Sequence, residues 1–314
     1  MKQFQKIVCI NFFGNEFDET YWSELDKLAD KRVSVNESEV IKKHKDADAL
    51  LVKLGAKVGR DLIDIFPNLK YIGMLGTGYG GIDTKHATSK EITVCNIADY
   101  ATEGVAEFTF AILLEHIRSI TKAKSQASNG NYSDEDFAGK EIKGKKFGII
   151  GLGDIGTRTA LLAQAFGAQV SYWSRNRKKE IEAKGILYEE LDGLLFHSDI
   201  ITLNLALNSE TEKILDAGQI KAIKPGAIVI NPSPMELLDF PSLVARLKKH
   251  DITFMLDHSD ETSQEQLAEL KPLKNCIIYP PIAYLTEEAS ALKKRIFIDN
   301  IRSFLAGIPT NKVG

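Results

Sequence analysis

Short apolar runs, rich in valine and isoleucine, alternate along this chain with longer amphipathic stretches. KIVCIN (6–11), ALLVKL (49–54), YIGML (71–75) and ITVCN (92–96) predict strands, and the stretches 17–29 and 59–65 predict helices between them. From Thr102 a helical pattern runs through VAEFTFAILLEHIRSITKAK. It is almost wholly apolar from Val105 to Leu114, which predicts a helix buried between domains or subunits. A polar, loop-like stretch follows over 125–146. Strand–helix alternation restarts at Phe147 and continues to Ile278, and after Pro280 and Pro281 a last helix is predicted over 286–305. Alternation of this kind predicts an α/β fold with parallel sheets.

Composition narrows the setting. A chain of 314 residues is long enough for two domains, at about 150 residues each. A net charge of -3 and a pI near 6.1 give no electrostatic footprint for nucleic acid or an anionic membrane. Cys9, Cys95 and Cys276 are odd in number and have no paired spacing; Cys95 and Cys276 sit in short apolar runs, which suits buried thiols in a reducing compartment, and no metal site is expected. The N-terminal apolar run is too short for a secretory signal, and no stretch approaches a membrane span. The expectation is a soluble, cytoplasmic protein.

The strongest chemical signal is FGIIGLGDIG, which places Gly151, Gly153 and Gly156 in the spacing G-x-G-x-x-G. An apolar strand precedes it, and Asp154 and Ile155 open a helical pattern. Gly151 permits a tight turn, Gly153 lets backbone approach a pyrophosphate, and Gly156 lets helix pack on strand. The helix N-terminus then offers N–H groups to phosphate. A glycine turn without a ligand is the bland alternative. The next strand, AQVSYW (168–173), ends without the acid that takes a ribose 2′-hydroxyl about 20 positions on in NAD sites. No Asp or Glu occurs between Arg158 and Lys179, and the strand end reads Ser174, Arg175, Asn176, Arg177. Guanidinium and hydroxyl groups suit a 2′-phosphate, so NADP(H) is expected over NAD(H), against the alternative of a solvated basic helix start. Two Rossmann-like, doubly wound domains follow: a discontinuous substrate domain, 1–98 plus 285–314, and a dinucleotide-binding domain, 99–284.

Several ordered motifs resemble the D-2-hydroxyacid dehydrogenases, the group of glyoxylate/hydroxypyruvate reductases and phosphoglycerate dehydrogenase. They are PNLKYIGMLGTGYGGID (67–83), YATEGVAEFTFAILLEHIR (100–118), GKKFGIIGLGDIG (144–156), SDIITLNLALNSET (198–211) and KPGAIVINPSP (224–234). The resemblance implies a homodimer and assigns Thr77 and Gly78 to a substrate carboxylate, with Lys53 as a substrate-binding cation. It places Thr102 and Asp257 near the nicotinamide carboxamide, and Asn204 and Thr211 at the cofactor's strand ends. Plainer roles are a tight turn for Thr77 and Gly78, a solvated charge for Lys53 and a helix cap for Thr102.

The same resemblance asks for an arginine, a glutamate and a histidine that this chain lacks. The arginine pattern N-T-x-R-G meets Asn231, Pro232, Ser233, Pro234, so Pro234 stands at the arginine. Five residues after Asp257 comes Thr262 in place of the glutamate, with Glu261 one position early. Pro281 stands at the histidine. Substitutes within reach are His258, Glu261, Tyr279 and Tyr284. Strand alternation, if it continued, would point His258 and Asp257 to opposite faces. The remaining histidines, His44, His86, His116, His197 and His250, lie on predicted helices or helix ends. Two functions are open: an NADP(H)-dependent oxidoreductase with a remodelled site, acting on an imine, aldehyde or activated alkene, or a non-catalytic NADP(H)-binding sensor or scaffold.

Overall fold

The computed structural model describes residues 3–12, 17–37, 43–53 and 55–314. The chain divides into two compact units, Met1–Tyr100 with Glu287–Gly314, and Ala101–Thr286. Both are doubly wound sheets with helices on two faces, the fold class that the alternation predicts.

In the first unit β1 (Phe4–Ile10), β2 (Ala29–Val35), β3 (Ala49–Lys53), β4 (Tyr71–Leu75) and β5 (Thr93–Cys95) run parallel in the order β5-β4-β3-β1-β2. Lys312–Val313 adds antiparallel to β5. Successive residues of the central strands feed opposite cores. Ile7, Cys9, Leu51 and Tyr71 pack with Phe297 of the last helix, whereas Val8, Ile10, Leu50 and Val52 pack with Ile72. Burial on both faces is why these strands read as unbroken apolar runs. The helix expected over 17–29 is shorter, Glu19–Asp26, capped by the Asp18 carboxylate on the N–H groups of Thr20 and Tyr21. Its tail belongs to β2, whose sequence ADKRVSV is polar because it is an edge strand and mostly exposed or half-buried.

In the second unit seven parallel strands stand in the order β12-β11-β10-β9-β6-β7-β8. They are β6 (Lys146–Ile150), β7 (Gln169–Trp173), β8 (Leu187–Tyr188), β9 (Ile200–Leu203), β10 (Ile228–Asn231), β11 (Thr253–Leu256) and β12 (Cys276–Ile278). The chain winds outward from β6 to β8, returns to β9 beside β6, and winds the other way. The switch point between β6 and β9 is where open α/β sheets place ligands, outside the carboxyl ends of the strands.

The helix expected to run unbroken from Thr102 is two. Thr102–Arg118 buries Phe110, Leu113 and Ile117 against Phe147 and Ile149 of the sheet. Ser119 then takes a left-handed conformation, φ 52°, and its N–H bonds the carbonyls of Glu115 and His116. The second piece, Ile120–Ser128, buries no residue, so no core holds it in line with the first. It also extends helix into the stretch expected to be loop. Among the described residues no helix is long and apolar enough to cross a membrane, and no cluster of metal ligands occurs.

Candidate functional site

The glycine turn sits at the switch point. Gly151 follows β6 with φ +93°, its N–H bonded to the Trp173 carbonyl at 2.8 Å. A Cβ there would stand 2.4 Å from the Asn204 carbonyl oxygen, and one at Gly156 would stand 1.9 Å from the Gly151 carbonyl oxygen. Both glycines are therefore demanded by the packing of the chain itself. Gly153 differs: a Cβ there meets nothing within 4 Å. It is the residue before the helix Asp154–Ala165, and no side chain caps that helix. The turn thus leaves open space beside uncapped helix N–H groups, which fits a pyrophosphate lying against Gly153. Ile155 contributes its carbonyl, which accepts the Thr159 hydroxyl at 2.8 Å and steadies the first turn.

A cavity of about 700 Å³ opens from this turn. Gly151 and Gly153 form one side, and Trp173, Ser174, Arg175, Asn176 and Lys178 line the end of β7. Asn204, Asn208, Glu210 and Thr211 line the facing loop after β9. The structure sorts the basic run that follows β7. Arg177 is spent on Glu182, at 2.6 and 3.0 Å, and lies over the Tyr188 ring. Arg175 is on the cavity wall and forms an ion pair with Glu210; both side chains are largely exposed. The Ser174 hydroxyl donates to the Asn176 carbonyl at 2.6 Å, which shapes the turn next to Arg175. Thr211 closes the facing loop, donating to the Ala206 carbonyl at 2.7 Å and accepting from the Asn208 N–H at 2.9 Å.

Along the same sheet edge, the ends of β9 and β10 carry two unpartnered buried atoms, Asn204 Oδ1 and Asn231 Nδ2. The end of β11 carries Asp257, 3% exposed. Asp257 Oδ1 accepts the N–H groups of Ile282 and Ala283 at 3.1 and 3.3 Å, and so anchors the loop through Pro281. Burial pushes its pKa above the ordinary carboxylate value, and those two N–H bonds pull it part of the way back. Asp257→Ala is expected to leave both amides without an acceptor and to cost about 1–3 kcal/mol. Thermal unfolding checks this, with Asp257→Asn expected to recover most of the loss because it keeps an acceptor.

β11 ends at Leu256, so strand alternation does not govern His258, contrary to the expectation from the sequence. His258 Nδ1 stands 3.3 Å from Glu261 Oε2. The contact falls short of an aligned hydrogen bond, and the carboxylate acts on the imidazole first through this contact and then through its charge. Burial pushes the His258 pKa down, but Glu261, Asp257 and Asp260 together outweigh it and hold the imidazole above its ordinary value. His258 in turn holds Glu261 below the usual carboxylate range. Thr262 closes the turn, its hydroxyl donating to the His258 carbonyl at 2.9 Å. Pro234 opens a short 3-10 turn, Met235–Leu237, and Pro281 is half-buried in the anchored loop. Tyr279 is half-buried and packs edge-on against Phe108, with burial raising its pKa; Tyr284 is half-buried, next to Ala283. Cys276 is half-buried rather than buried, and its thiol, like that of Cys9, is pushed up to about 12 by burial.

Lys53, Thr77 and Gly78 belong to the first unit. Lys53 ends β3, at that sheet's own switch point between β1 and β3. Thr77 and Gly78 are exposed beyond β4; the Thr77 hydroxyl donates to the Ile97 carbonyl at 2.8 Å, and the Thr77 carbonyl accepts from Asn96 at 2.7 Å. Thr102 is the first residue of its helix, with Ala101 at the cap position, so it is no cap. Sequence reasoning missed Trp173, Asn208 and Glu210 as cavity residues. The only signal was the NSET string, whose acid gains meaning once β7 and β9 are known to flank β6.

Comparison with known proteins agrees with this geometry. Residues 110–283 match the family model described as D-isomer specific 2-hydroxyacid dehydrogenase, NAD binding domain. A hydroxypyruvate reductase from Blautia hydrogenotrophica is 32% identical over 322 residues, covering 98% of this chain and 99% of that protein. A glyoxylate reductase from Thermococcus litoralis is 34% identical over 284 residues, covering 87% and 86%. Among solved structures, an acyclic imino acid reductase in complex with NADPH and D-Arg superposes with a TM-score of 0.84 at 28% identity, covering 98% of this chain and 100% of that one. A D-lactate dehydrogenase from Aquifex aeolicus, complexed with NAD and lactic acid, superposes with a TM-score of 0.82 at 25% identity, covering 96% of each.

Proposed function

The chain belongs to the D-isomer specific 2-hydroxyacid dehydrogenase family, and we propose that within it this protein is an NADP(H)-dependent reductase whose acceptor is an imine. The observation that carries the cofactor reading is the cavity at the glycine turn, where Ser174 and Arg175 stand at the end of β7 and no acid does. Gly153 gives the pyrophosphate room, and Arg175 supplies the fork that a 2′-phosphate accepts. When bound, the nicotinamide cofactor supplies a hydride. Everything else the chain must do itself.

The imine reading follows from what the chain does not offer. A 2-keto acid needs a cation on its carboxylate and an acid for its developing alkoxide, and a positioned general acid is worth roughly 100- to 10,000-fold. Pro234 and Pro281 stand where the family resemblance puts the arginine and the histidine, and proline offers neither charge nor proton. An iminium already carries its proton, so it needs orientation more than acid catalysis. Similarity to a reductase that takes acyclic imino acids with NADPH supports the same choice. For acceptors that still need a proton, the His258–Glu261 pair is the group on this sheet edge that can hold one: with Nδ1 turned to Glu261, Nε2 is left to carry it.

The deciding experiment follows NADPH absorbance with 2-keto acids alone and with the same acids plus an excess of amine. Oxidation that requires the amine supports the imine reading. Equal rates without amine overturn it, and tight NADPH binding with no turnover on any acceptor favours the sensor. Arg175→Ala is expected to weaken NADPH at least tenfold and NADH less than threefold, read from Kd by fluorescence titration. Equal losses for the two cofactors would refute the assignment of Arg175 to the 2′-phosphate.

A further inference from the structure

The cavity at the ends of β6, β7 and β9 holds a carboxylate that the cofactor reading does not use. Glu210 reaches Arg175 from the opposite wall, 35 residues further along the chain. It is held there by local design. Asn208 Oδ1 accepts the N–H groups of Glu210 and Thr211 at 2.8 and 3.1 Å, and Thr211 ties the loop back to Ala206. An NAD site needs an acid for the ribose 2′-hydroxyl, normally from the end of the second strand. Here that strand end has none, and the facing loop has one.

We infer that Glu210 is the cofactor-specificity carboxylate of this site: it accepts the ribose 2′-hydroxyl of NAD(H) and opposes the 2′-phosphate of NADP(H). The inference rests on the cofactor reading above. Arg175 and Glu210 are both largely exposed, so their ion pair is weak and a phosphate dianion can take Arg175 from it. The displaced carboxylate does not leave, because Asn208 fixes the backbone that carries it. It stays within the same cavity as the incoming phosphate, with like charge. Arg175 therefore favours NADP(H), Glu210 limits how far, and the site accepts both cofactors.

Glu210→Gln removes the charge, keeps the side chain's size and leaves the Asn208 bonds to backbone intact. It is expected to tighten NADPH about five- to tenfold, through loss of a screened like charge, and to weaken NADH two- to fivefold. The probes are NADPH, NADH, 2′,5′-ADP and 5′-AMP, titrated by calorimetry into the wild type, Glu210→Gln and Arg175→Ala. The expected result is a ratio of Kd for NADH over NADPH that rises about ten- to fiftyfold in Glu210→Gln, with 2′,5′-ADP following NADPH. A ratio within twofold of wild type overturns the inference. If that happens while Arg175→Ala still loses 2′,5′-ADP, the NADP(H) reading stands and the role of Glu210 falls. If Arg175→Ala leaves 2′,5′-ADP unchanged while Glu210→Gln weakens NADH, the NADP(H) reading falls and Glu210 stands as the ribose acid.

Discussion

Gly156→Ala is expected to lower the unfolding temperature of the 101–286 unit by several degrees, up to roughly 12 °C, whereas Gly153→Ala is expected to leave it within about 3 °C and yet abolish most cofactor binding. The two residues are three positions apart in one motif, and the physical reasons differ. A methyl group on Gly156 would sit 1.9 Å from the Gly151 carbonyl oxygen. That neighbour is backbone at the end of β6 and cannot swing aside as a side chain could. Either the helix lifts from the strand or the turn opens. Overpacking of this kind costs about 1–3 kcal/mol and occasionally more, and each kcal/mol moves the midpoint by roughly 2–4 °C in a unit of this size. At Gly153 the backbone is ordinary, φ -74°, and the new methyl group meets nothing within 4 Å. The folded chain pays almost nothing for it. The added methyl projects into the space that a pyrophosphate is proposed to fill, so NADPH affinity is expected to fall about 100-fold. Excess NADPH at 100 times its Kd stabilises the wild type by about 2.7 kcal/mol, and melting with and without NADPH reads this directly. A Gly153→Ala protein with the full wild-type shift would show that the pyrophosphate lies elsewhere.

That contrast also shows what a sequence can carry. The motif, its strand and its helix are local, so their roles follow from spacing, and the structure puts the turn at the switch point between β6 and β9. Central strands are buried on both faces, and their apolar runs announce them. β2 is an edge strand with a polar sequence, and nothing local separates it from the end of a helix. The break at Ser119 depends on where the supporting core ends, near Ile117, which no helical period records. The site was legible in halves. Arg175 was identified from its own neighbourhood, but Glu210 is 35 residues away and becomes its partner only through the strand order. Asp257 was recognised as an acid at a strand end. Its bonds to Ile282 and Ala283, which make it the anchor of the Pro281 loop, are a property of two segments meeting.

His258→Gln is expected to lower kcat for aldehyde and keto-acid acceptors by about 100-fold or more, and for a preformed iminium by less than tenfold. The difference arises because only the carbonyl acceptors take a proton during the reaction, and a positioned acid is worth roughly 100- to 10,000-fold for that step. The pH profile adds a readout that packing alone would not move. His258 must be protonated to donate, and its neighbours hold its pKa above the ordinary value of 6.5. The rate with a carbonyl acceptor should therefore be full at low pH and fall as pH rises through a midpoint above 6.5, and Glu261→Gln should move that midpoint down. The sign for stability is the same for the histidine and opposite for its partner. A histidine whose folded pKa is raised adds stability below its unfolded pKa and loses it as pH rises through the folded one. Glu261, lowered from 4.5, adds stability above that value and loses it as pH falls through its folded pKa. The pair thus contributes most between about pH 4.5 and 6.5, and with Glu261 substantially exposed the contribution is small. Loss of carbonyl reduction in His258→Gln, with the iminium rate kept, would establish His258 as the proton source. A pH profile for carbonyl reduction that His258→Gln leaves unchanged would remove His258 from the chemistry and leave the chain with orientation alone.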